Sequence, residues 1–419
     1  MEIRSFLAML AKKFWSNHTV NAFLILSFIG FTALWYSEFI ISVVTAVAVV
    51  ISIISYRKGN SRAYNGLFLS LLFILALAIL DAVFHIGGKV SGAKLLLAVG
   101  MVGVGIASFK VFEDAKRKNL ITLFIGMLAC VSVINIIAVS GYLTNKEYLD
   151  QMLLQSKSIP IPNMHHIHFG IINALVIIGS VGTLVLGVLS RIQRNLTIVL
   201  LTICLISFHI LSSRTGLVSF YSGTVVTLIV YSIQQKKYKV LFTGVLSMIF
   251  LVAGSYTLSS SFQNKISNSI EDINSWGKGD EVNHKSMGMR IEAYKMCLQV
   301  LLENPIGVGS DAQSKVQQEM YISQNTVLTK ENRVGPHNQF LEFGVKYGWL
   351  GVLGILVFLL SLMKLLPQSS AFYFGIVTII LVSLQFESLF ERQKSIYFCM
   401  TLIPLFYFLL EKRQLNAKI

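Results

Sequence analysis

Residues 196–233 read LTIVLLTICLISFHILSSRTGLVSFYSGTVVTLIVYSI. This apolar run is about twice as long as the roughly 20 residues that one α-helix needs to cross the hydrocarbon core of a bilayer. Only the short polar segment 212–216, which contains Arg214, interrupts it. The run therefore predicts two membrane-spanning helices joined by a tight turn, with an arginine in the turn.

Apolar runs of this kind recur along the whole chain. Hydrophobic residues make up 54% of the sequence and charged residues 13%, about half the charged fraction of a typical soluble domain. The short alternating segments of membrane β-strands are absent from the sequence. We predict an all-α polytopic membrane protein with about twelve transmembrane helices. The predicted spans cover approximately residues 20–36, 38–55, 64–83, 93–109, 120–142, 168–189, 196–212, 216–233, 240–258, 347–366, 371–389 and 395–411.

The basic residues predict which side of the membrane each connection faces. With the N-terminus in the cytoplasm, cytoplasmic segments hold 19 of the 35 Lys and Arg residues and four acidic residues, so the net charge of +15 lies on that side. This bias, with attraction to anionic lipid, accounts for the basic pI, so nucleic-acid binding is excluded as its cause. The first apolar run lacks a small-residue cleavage site, and we expect it to be a retained span. Both termini are expected in the cytoplasm.

One long polar segment, 259–346, interrupts the series of spans. The expected organisation is transmembrane helices 1–9 over residues 1–258, a large outer loop over 259–346, and helices 10–12 with a cytoplasmic tail over 347–419. Of the four cysteines only Cys297 lies in this loop, so no disulfide is expected there. We interpret all four as small buried hydrophobes. The other three are Cys130, Cys204 and Cys399.

Two parts of the loop differ in pattern. Residues 264–281 are polar and predicted to be rich in turns. Residues 286–302 predict an amphipathic helix that ends before Asn304 and Pro305, with positions 287, 291, 294, 298, 301 and 302 on one apolar face. We expect this helix to lie on the outer membrane–water boundary or to pack on the spans.

Arg214 and Arg290 are candidate phosphate-binding residues, because a guanidinium offers paired N–H donors that match phosphate oxygens. Arg290 also lies near a helix start, which favours anions. The alternatives are that Arg214 extends to the outer lipid headgroups and that Arg290 pairs with Glu292 or Glu271.

His337 is a candidate general base, since an imidazole can accept a proton at neutral pH. A histidine at this position, just before a polar-to-apolar transition, could instead cap the following helix. The turn between the last two spans holds Glu387, Glu391 and Arg392 as secondary candidates. An ionisable residue at membrane depth is a functional candidate, and the alternative is an internal Glu–Arg pair.

Three histidines, His165, His166 and His168, lie where the sixth span begins. They predict a metal site only weakly, because no carboxylate or cysteine lies nearby in sequence to complete a ligand set. We expect contacts of His165 and His168 with sugar, or a solvated loop, and neither a metal nor another cofactor.

The expected topology puts Arg214, Arg290, His337 and Arg392 on the same outer side. Two or three arginines and a base at a membrane surface suit transfer from a lipid-linked pyrophosphate. The arginines would neutralise the leaving pyrophosphate, and the histidine would take a proton from an acceptor hydroxyl.

The order of these short motifs resembles the O-antigen ligase family, whose domain is shared with O-antigen polymerases and pilin-type O-oligosaccharyltransferases. Over about residues 197–351 the resemblance lies in specific sequence motifs. Before residue 197 it lies only in the arrangement of the spans. It rests on Ser213-Arg214-Thr215-Gly216, Arg290 before Asn304-Pro305-Ile306-Gly307-Val308-Gly309, Pro336-His337-Asn338 and Gly348-Trp349-Leu350-Gly351.

The resemblance implies a GT-C-like glycosyltransferase of the bacterial inner membrane. Such an enzyme would move glycan from undecaprenyl pyrophosphate to lipid A-core on the periplasmic side, with inversion and without metal. The family's two essential arginines match Arg214 and Arg290, and its essential histidine matches His337. Some ligases carry an Asp near the last outer turn, where this chain has Glu387 and Glu391.

Three other functions stay open from the sequence. Pilin-type transferases usually add a C-terminal periplasmic domain, so the early end of this chain favours ligation. A polymerase uses the same donor and differs mainly in acceptor. A transporter of lipid-linked sugar would need polar groups in mid-span, where the sequence offers few besides Asp81 and His209.

Overall fold

The computed structural model describes residues 17–55, 64–84, 88–154, 157–278, 283, 285–366 and 370–411. Its regular structure is helical. The α-helices are α1 (Asn17–Ala33), α2 (Glu38–Ser55), α3 (Asn65–Phe84), α4 (Lys89–Asp114), α5 (Arg117–Thr144), α6 (Lys146–Leu154), α7 (His166–Val185), α8 (Arg191–Leu211), α9 (Arg214–Gln235), α10 (Tyr238–Leu258), α11 (Ser260–Lys278), α12 (Ser286–Glu303), α13 (Gln313–Ser323), α14 (Gln339–Met363), α15 (Ala371–Phe386) and α16 (Gln393–Leu409).

A helix lies at each of the twelve predicted spans. In the described part of the chain, nine helices are long and apolar enough to cross a membrane, namely α2–α5, α7–α10 and α14. The other three, α1, α15 and α16, have 17, 16 and 17 residues. The chain is thus a multi-pass helical membrane protein, and the count of twelve spans stays a prediction.

Much of the basic charge behind the predicted orientation lies outside the described residues. These residues are Arg4, Lys12, Lys13, Arg57, Lys58, Arg62, Lys412, Arg413 and Lys418.

The helix ends nearest to residues 259–338 lie together, and we call this end of the bundle the loop end. Asn163, before α7, donates to the carbonyl of Trp35, after α1, at 2.9 Å. Gln393, at the start of α16, donates to Ser42 in α2 at 3.0 Å. If successive spans cross the membrane in alternate directions, these helix ends lie on the same side. The hydrogen bonds show that they are also in contact.

The prediction that residues 264–281 are rich in turns is wrong for the residues that the structure describes there. These residues belong to helix α11. Apart from Phe262, the face of α11 that packs on its neighbours is polar, so a search for apolar periodicity does not detect it. Glu281 lies outside the described residues. Buried positions on this face are Ser261, Lys265, Asn268, Asp272 and Ser275.

The predicted helix at 286–302 is present as α12, but on the predicted apolar face Leu301 alone is fully buried. Leu298 and Leu302 are exposed. The small or flexible side chains of α12 pack instead with α13 and α14, because they allow close approach. This packing supports the expectation that the amphipathic helix lies against other helices. This cluster comprises Ala293, Met296, Cys297, Val300, Met320, Tyr321, Leu328 and Val345.

The interpretation of the cysteines as small buried hydrophobes is confirmed for three of the four. Cys204, Cys297 and Cys399 are buried, whereas Cys130 is half-buried, and all four are free thiols.

Two motifs of the sequence pair with each other where the loop meets α14. The helix breaks at Gly348, with φ 64° and ψ −155°. The break frees backbone groups, so Trp349 N donates to Pro305 O at 3.0 Å, and Val308 N donates to Val345 O at 2.9 Å. A Cβ on Gly348 would overlap the Pro305 carbonyl. The loop and the span are therefore joined by backbone hydrogen bonds.

We expect Gly348→Ala to destabilise the fold much more than Gly187→Ala. Both glycines have φ +64°, but a Cβ on Gly187 would meet nothing within 4 Å. Gly187→Ala should cost about 1 kcal/mol of backbone strain, and Gly348→Ala about 3 kcal/mol or more once the clash is added. Thermal unfolding in detergent, followed by tryptophan fluorescence, measures both. Equal shifts in melting temperature would refute the pairing of the motifs.

Candidate active site

A cavity of about 320 Å³ opens at the loop end. Side chains from α7, α9, α11 and α12 and from the segment before α14 line it. Arg214, Arg290 and His337, which the sequence places far apart, all border this cavity. The convergence of the three residues is the central geometric fact of the site.

Arg214 is brought to the cavity by a tight turn. Ser212, with φ 50°, ends α8 in the left-handed conformation, and Arg214 begins α9. The turn lies against α7, because Gly170 and Gly216 cross so closely that a Cβ on Gly216 would lie 2.8 Å from Gly170 Cα. Small residues permit this approach between membrane helices.

The guanidinium of Arg214 is partly buried and forms an ion pair. Its Nη1 donates to Asp272 Oδ2 at 2.9 Å, and Asp272 is buried. This ion pair accounts for the position of Arg214 without an extension to the lipid headgroups.

Arg290 connects α12 to the end of α15. Its Nη1 donates to Phe386 O at 2.9 Å. Glu292 pairs with Lys295 at 2.7 Å, and Glu271 pairs with Lys285 at 3.1 Å, so the alternative pairings of Arg290 are wrong. A guanidinium has five N–H donors, so Arg290 keeps donors for a ligand in the cavity that it borders.

His337 is not the cap of α14. Asn338 caps that helix, because its Oδ1 accepts from Phe340 N at 2.9 Å and from Leu341 N at 3.1 Å. Asn338 also donates to Gln385 O at 3.1 Å. His337 itself adopts φ 42°. The capping alternative is wrong, and the cap fixes the residue next to His337 against α15.

Glu387 lies between two histidines. Its Oε2 is 3.4 Å from His337 Nδ1, and its Oε1 is 3.8 Å from His168 Nε2. Burial alone would raise the pKa of the Glu387 carboxyl, but the two imidazoles hold this pKa below its usual range. A proton on His337 Nδ1 would face this carboxylate and leave a lone pair on Nε2. The pair has the arrangement of a general base and its orienting carboxylate.

The two other candidates of the last turn lie elsewhere. Arg392 is exposed and is not among the residues that line the cavity. Glu391 forms ion pairs with Lys94 and Lys346, each at 2.5 Å. Burial opposes ionisation of Glu391, but these lysines lower the pKa of its carboxyl. Glu391 therefore fixes the turn against α4 and α14. Glu387 contacts two histidines, so the alternative in which it pairs with Arg392 is wrong.

The three histidines at the start of α7 are divided between the cavity and the core. His165 and His166 line the cavity. His168 is buried and lies 3.2 Å from Ser395 Oγ, so a solvated loop is wrong for this residue. Burial, and then His168, lower the pKa of His165 to about 4. In the described residues no three His, Cys, Asp or Glu side chains form a group suited to a metal ion.

Two charged residues of the site were missed from the sequence, Lys265 and Asp272. Both come from α11, the helix whose polar packing face was predicted as turns. A regular spacing of polar residues at helical intervals from 261 to 275 was the available signal.

These features define a helical membrane protein with a cationic, histidine-containing cavity at one end of its bundle. Residues 196–356 match the family model described as O-antigen ligase. The chain therefore carries the domain of the O-antigen ligase family, and the resemblance seen in the sequence is confirmed at that level. The matched range contains Arg214, Arg290 and His337, whereas Glu387 follows it. No curated protein matches the chain.

Proposed function

We propose that this chain transfers O-antigen glycan from undecaprenyl pyrophosphate to lipid A-core at the periplasmic face of the bacterial inner membrane. The observation that carries the proposal is the convergence of Arg214, Arg290 and His337 on one cavity. The family match supports glycosyl transfer in a membrane. The donor, the acceptor and the side of the membrane are parts of the proposal.

The arginines act on the leaving group. Arg214 and Arg290 border the cavity from different helices, so they can bind a pyrophosphate between them. Charge accumulates on the pyrophosphate as its bond to the anomeric carbon breaks. Preorganised donors stabilise that charge in the transition state without a metal ion.

His337 acts on the acceptor. Nε2 takes the proton of an acceptor hydroxyl while the hydroxyl oxygen attacks the anomeric carbon on the face opposite the pyrophosphate. The bond between that carbon and the phosphate oxygen breaks, and the pyrophosphate leaves with the electron pair. The configuration inverts, and Glu387 stabilises the imidazolium that forms.

The orientation follows from the basic residues. Placing the predicted basic segments in the cytoplasm puts the loop end, with its cavity, on the periplasmic side. The loop 259–346 then acts as a catalytic lid of a GT-C-like enzyme, contributing Arg290 and His337 to a site that Arg214 completes from the spans.

The lipopolysaccharide pattern of a strain that lacks this chain tests the function. A ligase predicts loss of every O-antigen band together with accumulation of the lipid-linked donor. A band of core plus one repeat unit would show a polymerase instead. Restoration by the intact gene controls for effects on neighbouring genes.

Replacing the orienting carboxylate should slow transfer without preventing folding. We expect Glu387→Gln to lower kcat/KM by about 100-fold, because the amide no longer stabilises an imidazolium at His337. Transfer from purified donor in proteoliposomes measures the loss. Glu319→Gln, at an exposed carboxyl, is the matched control. Unchanged kcat/KM in Glu387→Gln would exclude the pair as the base.

Chelation should leave the reaction intact, since the arginines take the place of a divalent cation. We expect transfer in proteoliposomes at an unchanged rate after treatment with EDTA. A strict requirement for added Mg²⁺ or Mn²⁺ would contradict the proposed chemistry.

A further inference from the structure

Lys265 is a buried cation with no role in the chemistry described so far. It lies on α11, is 8% exposed, and lines the same cavity as Arg214 and Arg290. We propose that Lys265, together with Ser158, is a further phosphate-binding element that holds a second phosphoryl group of a diphosphate. This inference rests on the proposed function, since it takes the ligand to be a lipid-linked pyrophosphate.

The contacts of Lys265 place its ammonium at the wall of the cavity. Nζ donates to Lys157 O at 2.6 Å and to Ser158 Oγ at 3.1 Å. An ammonium has three donors, so one remains for a ligand. Ser158 also lines the cavity, and its hydroxyl can donate to the same ligand.

The charge around the cavity is unbalanced before a ligand binds. Lys265, Arg214 and Arg290 line it, while the buried carboxylates of Asp272 and Glu387 offset only part of this charge. Burial, and then the nearby Arg214, lower the pKa of Lys265 to about 8. A diphosphate would relieve this repulsion, and one that spans Arg214 and Lys265 would relieve most of it.

A purely structural role is the main competing explanation. Lys265 links α11 to residues 157–158, and Asn268, one turn further along, makes a similar link by donating to Leu153 O at 2.7 Å. Asn268 is buried but is not among the residues that line the cavity. Asn268→Ala is therefore a matched control that removes a link without touching the cavity.

The test is binding of inorganic pyrophosphate to the full chain in detergent, measured by calorimetry at pH 7 and pH 9.5. At pH 7 we expect Lys265→Met to bind at least tenfold more weakly than the unmodified chain, and Lys265→Arg and Asn268→Ala to bind within threefold of it. Thermal unfolding of each variant reports whether the fold is retained.

The pH dependence provides a readout that a structural link would not change. The Lys265 ammonium loses its proton as the pH rises through about 8, whereas an arginine stays charged. The affinity of the unmodified chain should therefore fall about tenfold relative to that of Lys265→Arg between pH 7 and pH 9.5. The ligand's own ionisation cancels in this ratio. His165, with a pKa of about 4, stays neutral throughout. The charged or titratable groups around the cavity that Lys265 lines are Arg214, Asp272, His165, His166, Arg290, His337 and Glu387.

The outcomes separate this inference from the proposed function. If Arg290→Met weakens pyrophosphate binding and Lys265→Met does not, the function stands and the role of Lys265 is refuted. Equal weakening by Asn268→Ala and Lys265→Met would also refute it, because the effect would then be structural. Absence of pyrophosphate binding to the unmodified chain would overturn both.

Discussion

His337→Asn is expected to abolish glycan transfer, with a loss of about 10²–10⁴-fold in kcat/KM, because it removes the imidazole to which the proposed mechanism assigns the acceptor proton. Asparagine is the appropriate replacement, since His337 has φ 42° and asparagine tolerates the left-handed region better than alanine. Loss of activity can then be assigned to the missing imidazole.

The measurement is transfer from purified donor in proteoliposomes, with membrane insertion and thermal unfolding recorded for the same preparation. His18→Asn, at an exposed histidine of α1, should retain full activity. Transfer by His337→Asn at a rate near that of the unmodified chain would remove His337 from the mechanism.

The second large effect is expected at Arg214, where loss of function and loss of stability must be separated. Arg214→Met should reduce kcat/KM by about 10²–10³-fold, as for other preorganised donors to a charged transition state. It should also destabilise the fold by about 3–5 kcal/mol, because Asp272 would be left buried without its partner.

A paired variant resolves the two contributions. Arg214→Met combined with Asp272→Asn removes the unpaired charge, so its melting temperature should return most of the way to that of the unmodified chain. Transfer should stay lost. If transfer returned together with stability, Arg214 would serve only as the partner of Asp272.

The bundle could be predicted from the sequence because each span carries its own signal, an apolar run of about the required length. The start of α14 could not. It begins at Gln339, before the predicted span at 347, because polar side chains inside it have buried partners. Gln339 accepts from Phe390 N at 2.7 Å, and Lys346 pairs with Glu391 at 2.5 Å. Such partners are set by packing and leave no periodic pattern.

The same distinction holds for the site. Arg214, Arg290 and His337 could be selected as candidates because charged groups are conspicuous in an apolar chain and their motifs have a characteristic order. The contact of His337 with Glu387, and that of Glu387 with His168, join distant parts of the sequence. Lys265 and Asp272 were missed for a different reason, since polar residues on a buried helix face look like a solvated segment.

The paired backbone at Pro305 and Trp349 has a consequence for engineering. It makes the loop and helix α14 one structural unit, because the hydrogen bonds cross the boundary at which a loop would ordinarily be cut. In a chimaera that exchanges residues 259–346 with a relative, Pro305 would come from one protein and Trp349 from the other. The two sides of this contact would then be mismatched. Exchanging 259–363 keeps the joint intact, so we expect that chimaera to be more stable than one that exchanges 259–346.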